Sequence, residues 1–137
     1  MIQYGRLSKE VRAVCEAQCE RVLRAIETIR CGAACSEEEL HAQIARVLFE
    51  HGLEAQHEVR LAPRCRIDFM CGGVGIEIKK SRPERAKLIA QLTRYASCDQ
   101  VEALIVAAPR GVNLPREIAG KRVTMVALER LWGISLP

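Results

Sequence analysis

Three residues in the stretch RIDFMCGGVGIEIKK, Arg66 to Lys80, have the types and spacing to do chemistry: Asp68, Glu77 and Lys79. The stretch reads as two short apolar runs joined by Gly72-Gly73, a tight hairpin connection. Side chains alternate along a strand, so Glu77 and Lys79 share one face while Ile76 and Ile78 pack on the other. Asp68 falls in the neighbouring strand, where facing side chains stand roughly 5 Å apart. Two carboxylates at that range repel unless a cation or proton is shared between them. A divalent, oxygen-seeking ion such as Mg²⁺ or Mn²⁺ resolves the conflict, since it takes one or two carboxylates and completes its shell with waters and phosphate oxygens. The Lys79 ammonium would then orient or help deprotonate an attacking water, or neutralise charge building on phosphorus. The plain alternative for the same residues is a surface hairpin carrying a Glu77–Lys79 ion pair, which is common and weak.

The elements that must position these residues are readable on either side. Residues 8–30 show an amphipathic helical pattern with Ser8 as N-cap. Its apolar stripe is Leu7, Val11, Val14, Val22, Ile26 and Ile29, with Cys15 and Cys19 falling within it. CGAAC breaks the pattern, and a second helix follows over 36–52, opened by a Ser36/Glu39 capping box and stopped by Gly52. Strands are expected at Ala55–Leu61, Arg66–Met70 and Gly75–Lys79, with Pro63-Arg64 turning the chain between the first two. A helix starts at Pro83 and runs to Ser97. VEALIVAAP is a continuous apolar run suited to a strand buried on both faces. LPREIAG reads as a short helix, RVTMVAL as a final strand and LERLWGISLP as a short helical or irregular tail. A strand meander, a crossover helix and a buried strand together imply an α/β fold with a mixed sheet flanked by helices.

This arrangement resembles the PD-(D/E)xK nuclease superfamily, the restriction-endonuclease-like fold, whose core is an α-β-β-β-α-β unit. Asp68 takes the place of the family's first aspartate, preceded by Ile67 instead of proline, and Glu77-Ile78-Lys79 is the ExK triplet. The resemblance covers residues 36–107 and implies that Asp68, Glu77 and the backbone carbonyl of Ile78 hold Mg²⁺ or Mn²⁺, with Lys79 serving the hydrolytic water. It also implies an acidic ligand on the helix before the first strand. Glu37 is the choice, because it projects from the same side of that helix as Ile44 and Leu48; Glu38 points away and Glu39 is committed to the capping box. Gln91 and Tyr95 form a QxxxY pattern that looks like the RecB-type branch, one turn apart and sharing a helix face directed at the phosphate or nucleophile end of the site. Arg82, Arg85, Lys87 and Arg94, on or near the same helix, are suited to phosphate contacts. His41 and His57 read as surface or packing histidines. The function implied is metal-dependent hydrolysis of phosphodiester bonds, in DNA more than RNA. The competing class is an idle nuclease-like fold used for nucleic-acid binding or assembly.

Composition agrees with a folded domain and removes some alternatives. The chain has 137 residues, enough for one domain with a real core, and 49% are apolar while one Trp, two Tyr and two Phe are its only aromatics. No run approaches the roughly 18 apolar residues of a membrane span, and the N-terminal residues lack an apolar h-region, so a cytoplasmic address with no membrane partner is expected. A net charge of +4 permits a polyanionic partner without requiring one. A domain of this size would use a second copy or a larger protein to grip a duplex, with the first helix and Leu131-Trp132 as contact surfaces. Cys15/Cys19 and Cys31/Cys35 have helical i, i+4 spacing, but no CxxC knuckle is present, so the seven cysteines read mainly as packing residues and not as a metal or iron–sulfur site or a disulfide framework.

Overall fold

A computed structural model describes residues 8–30 and 35–131. Two helices come first, α1 (Lys9–Ile26) and α2 (Glu37–Glu50), followed by β1 (Gln56–Ala62), β2 (Cys65–Cys71) and β3 (Val74–Ile78). Next are α3 (Arg85–Ala96), β4 (Ala103–Ala108), β5 (Glu117–Ile118), β6 (Lys121–Ala127) and the short α4 (Leu128–Leu131). The strands form one mixed six-stranded sheet in the order β1-β2-β3-β4-β6-β5. β1, β2 and β3 are an antiparallel meander, β3 runs parallel to β4 and β4 parallel to β6. A parallel pair cannot be joined by a tight turn, and α3 supplies the crossover between β3 and β4. The α-β-β-β-α-β order expected from the sequence is thus present from α2 to β4.

Helix α2 begins where the capping box places it: Ser36 Oγ accepts from Glu39 N at 3.1 Å and Glu39 Oε1 accepts from Ser36 N at 3.2 Å. It ends at Glu50, and Gly52 just beyond has a φ of +72°, a left-handed conformation that favours glycine. Ser8 caps α1 by accepting from Val11 N at 3.2 Å. This helix stops at Ile26, short of residue 30, because the Thr28 hydroxyl donates to Ala25 O and competes for the last turn. Its buried face also differs from the predicted stripe. Cys15, Cys19, Val22, Ala25 and Ile26 are buried, whereas Val11 and Val14 are 38% and 70% exposed. Leu7, the CGAA of the break with Cys31, and the tail from Trp132 onward lie outside the described residues. Cys35 is disulfide-bonded, a cross-link that reading the cysteines as packing residues did not anticipate.

The sheet divides the core into two layers. On one face α1 and α2 pack Cys19, Val22, Ile26, Leu40, Ile44 and Leu48 against Phe69, Cys71, Val74, Ile76, Ile78 and Ile105. On the other, α3 packs Leu88, Leu92, Tyr95 and Ala96 against Ile67, Met70, Leu104 and Val106. β4 contributes to both, and every one of its residues is buried, as expected for a central strand. LPREIAG is not a helix. Glu117 and Ile118 instead pair antiparallel with Arg122 and Lys121 through a tight turn in which Ala119 and Gly120 have φ of 54° and 77°. Two consecutive positive φ values define a twisted hairpin turn. Pairing the exposed edge of β6 outweighs the weak preference of so short a segment for helix.

Candidate active site

The hairpin of β2 and β3 is regular at its glycine end and opens at the other. Cys71 faces Val74, Met70 faces Gly75 and Phe69 faces Ile76. One more step would set Asp68 opposite Glu77, and there the backbone ladder stops. Asp68 replaces the missing backbone bond with its side chain: Oδ2 accepts from Ile78 N at 2.7 Å. The neighbouring β1–β2 ladder is broken at the same level. His57/Phe69 and Val59/Ile67 are paired, but Glu58, which would face Asp68, has a φ of 55°. The consequence is a switch of faces. Phe69 packs under α1 and α2, whereas Ile67, two residues earlier, packs under α3. Strict alternation would put both on one side. Asp68 sits at the switch, three-quarters enclosed, where the meander opens.

Glu77 is 5% exposed on the α3 face of the sheet. Its Oε1 lies 3.0 Å from the Tyr95 hydroxyl and its Oε2 3.2 Å from Lys79 Nζ. Lys79 Nζ also donates to Gln91 Oε1 at 2.8 Å, and Gln91 Nε2 donates to the Tyr95 hydroxyl at 3.0 Å. That hydroxyl is 2.7 Å from Arg66 O, so it links β2, β3 and α3. A hydroxyl has one proton to give, and here it has two acceptors, Arg66 O and Glu77. Burial pushes the Glu77 carboxyl up to about 7, the negative charge of Asp68 adds to the rise, and Lys79 and the Tyr95 hydroxyl oppose it. Tyr95 is raised above its ordinary value, first by burial and then by the Glu77 charge.

Of the residues expected at the site, Asp68, Glu77, Lys79, Gln91 and Tyr95 come together, and Ile78 joins through its N–H. Tyr95 is 2% exposed, so it braces Glu77 from within and does not itself reach the phosphate end of the site as expected. Glu37 is exposed in the first turn of α2 and makes no hydrogen bond or ion pair to this group among the described residues. One turn further along, His41 is the α2 residue that approaches Asp68, its Nε2 4.0 Å from Oδ2. His41 Nδ1 is 3.0 Å from His57 Nε2, and the His57 ring stacks on Phe69 at 4.5 Å between centroids. Neither histidine is expected at the site from sequence; for His41 the signal is the helix face it shares with Glu37, and for His57 on β1 there is none. The basic residues divide. Lys87 and Arg94 line a groove of about 470 Å³ together with Lys79 and Gln91. Arg85 Nε donates to Asn113 O at 2.6 Å, tying α3 to the loop before β5, and Arg82 is exposed ahead of the helix.

The donor set suits a hard cation. It offers carboxylate oxygens from a partly exposed Asp68 and an almost fully buried Glu77, and the Asp68 charge acts on Glu77 across the opened hairpin. Among the described residues no group of three or more His, Cys, Asp or Glu is placed to hold a metal ion. Mg²⁺ asks for less, because it retains several waters.

The fold and site define an α/β protein with a six-stranded mixed sheet and an acid–acid–lysine cluster, built around the buried Glu77, where its meander opens. No protein-family model, curated protein or solved structure matches the chain. Among the described residues no helix is long and apolar enough to cross a membrane.

Proposed function

We propose that this protein is a metal-dependent nuclease built on a restriction-endonuclease-like core, hydrolysing phosphodiester bonds of nucleic acid, DNA in the first instance. The observation that carries the reading is the wiring of one buried carboxylate. Glu77 is bonded to Lys79 and Tyr95, Lys79 to Gln91, and Asp68 is tied to the same strand end through Ile78 N. A surface ion pair needs none of this support.

Asp68 and Glu77, with the carbonyl of Ile78, would hold Mg²⁺ or Mn²⁺. When bound, the metal would supply Lewis-acid stabilisation of charge on phosphorus and a water acidified for attack. Lys79 is the cation beside that charge. Gln91 fixes its ammonium from one side and Glu77 from the other, so Nζ is aimed without reorganisation. Tyr95 and Gln91 are positioning residues for Glu77 and Lys79. Lys87 and Arg94, in the groove that begins at Lys79, would receive the flanking phosphates.

The test is hydrolysis of labelled single-stranded, double-stranded and branched DNA with Mg²⁺ or Mn²⁺. Cleavage by the wild type that is lost in Asp68→Ala and Lys79→Ala is expected. If the wild type cuts nothing with either metal, or both variants cut as well as it does, the enzymatic reading fails and a binding or assembly role takes its place.

A further inference from the structure

On the α2 side of Asp68 lies a second groove, of about 500 Å³, lined by Ala45, Phe49, Leu53, Glu54, His57 and Phe69 among others. Phe49 is 82% exposed, the most exposed large apolar residue among those described. His57 forms another wall, its ring held nearly parallel to Phe69, 17° between planes, and bonded to His41, which in turn approaches Asp68. Phe49 and His57 therefore stand at a groove whose His57 wall is linked through His41 to Asp68. The charges around it differ from those of the α3 groove. Glu54 is the charged residue of its lining, and there is no lysine or arginine, whereas three cations, Lys79, Lys87 and Arg94, line the other groove against one acid, Glu84, which pairs with Lys87 at 3.5 Å.

Resting on the nuclease reading above, we propose that the Phe49–His57 groove receives an unpaired base of the substrate strand by stacking, so that the substrate is single-stranded or locally unpaired nucleic acid. A groove without cations beside an acid repels a phosphate, yet a base offers an uncharged ring face and amino groups that a carboxylate accepts. The cationic groove beyond Lys79 suits the phosphates of the same strand. A strand laid across the site would put a base on one side of the scissile phosphate and backbone on the other, a division found wherever aromatic platforms and basic tracks combine to hold single strands. Base–aromatic stacking tolerates any sequence, because every base has a π-face.

The experiment separates binding from cutting. A short single-stranded oligonucleotide carrying 2-aminopurine is titrated in EDTA, so that no hydrolysis occurs, into the wild type, Phe49→Leu and Phe49→Tyr. Phe49 is exposed, and these variants leave the core intact. Expected are quenching of 2-aminopurine by the wild type, a loss of affinity of roughly tenfold in Phe49→Leu, retention in Phe49→Tyr, and no difference among the three for blunt duplex. An abasic version of the strand should bind all three proteins equally. Equal affinity of wild type and Phe49→Leu for the base-bearing strand overturns the proposal. So does a Phe49-dependent dimer in sedimentation, which would make Phe49 a contact between copies of the chain. Failure of wild-type cleavage with Mg²⁺ or Mn²⁺ overturns the nuclease reading instead, and leaves the stacking result to stand or fall by the EDTA titration.

Discussion

Two groups of buried reactive side chains lie on opposite faces of the same sheet, and only one of them is wired. Under α1 are the thiols of Cys15, Cys19 and Cys71. All three are raised above the ordinary thiol range, burial being the largest cause, and Cys19 is pushed up to about 12. Their hydrogen-bonding company is slight, each other and the Gln18 amide 3.3 Å from Cys71 Sγ, while charges such as Glu102, Arg122 and Arg21 act on them from outside the layer. Under α3 is Glu77, raised by burial and by Asp68 but opposed by an ammonium and a hydroxyl within 3.2 Å. Burial acts on both groups in the same direction, towards the neutral form. What differs is the investment of neighbouring elements. The thiols fill space as small apolar groups do, whereas the carboxylate draws polar side chains from β3 and α3 into a layer that is otherwise apolar.

That contrast breaks most visibly at Lys79. Lys79→Ala removes the cation beside the reacting phosphate and should lower single-turnover cleavage about 10²–10⁴-fold, the range of a positioned acid–base or electrostatic group. Asp68→Asn keeps an acceptor for Ile78 N and so keeps the strand end in place while removing charge. It should abolish cleavage with the fold intact by circular dichroism. The same variant, and Glu77→Gln, should lose the rise in Tm that millimolar Mg²⁺ gives the wild type. An equal rise in all three proteins would place the cation elsewhere.

Tyr95→Phe tests the wiring alone. The substitution keeps the ring in the α3 layer and removes the hydroxyl that meets Arg66 O, Glu77 and Gln91. Leaving buried polar atoms without that partner should cost about 1–3 kcal/mol in urea denaturation. Because Tyr95 is buried and acts through Glu77, kcat should fall further than KM rises. An unchanged stability would mean that the hydroxyl contributes no more to its layer than the thiols do to theirs.

The parts of this site differ in how far the sequence exposes them. The strands, α2 with its cap and the shared face of Glu77 and Lys79 follow from local rules, because capping, alternation and turn glycines act over a few residues. Gln91 and Tyr95 are legible as one helix face, and so is the other reading of Tyr95, a core residue beside Leu88 and Leu92, which is where its ring lies. The break at Glu58 and Asp68 was hidden, since IDF has the alternation of an ordinary strand and nothing in it says that Ile67 and Phe69 part to opposite layers. His57 meets Phe69 as an ordinary cross-strand pair, and His41 comes beside Asp68 through the packing of α2, contacts between elements that no local pattern reports. LPREIAG failed differently: the edge of β6 decided its conformation, and no local pattern reports an edge.

The smallest effects belong to the thiols. Cys15→Ala and Cys19→Ala should leave cleavage at the wild-type rate and lower stability by about 1–2 kcal/mol through lost packing. With a folded-state value near 12 for Cys19 and the ordinary thiol value of 9.0 when unfolded, the native state holds the proton longer than the unfolded chain does. The sign follows: this contribution to stability is complete below pH 9 and is lost as pH rises from 9 towards 12. Alkaline titration of Tm should therefore fall more steeply for the wild type than for Cys19→Ala over that interval. At pH 8 iodoacetamide should label the half-buried Cys98 well before Cys19. Rapid alkylation of Cys19 in the folded protein would show a thiolate under α1, and the two faces of the sheet would then both be chemically active.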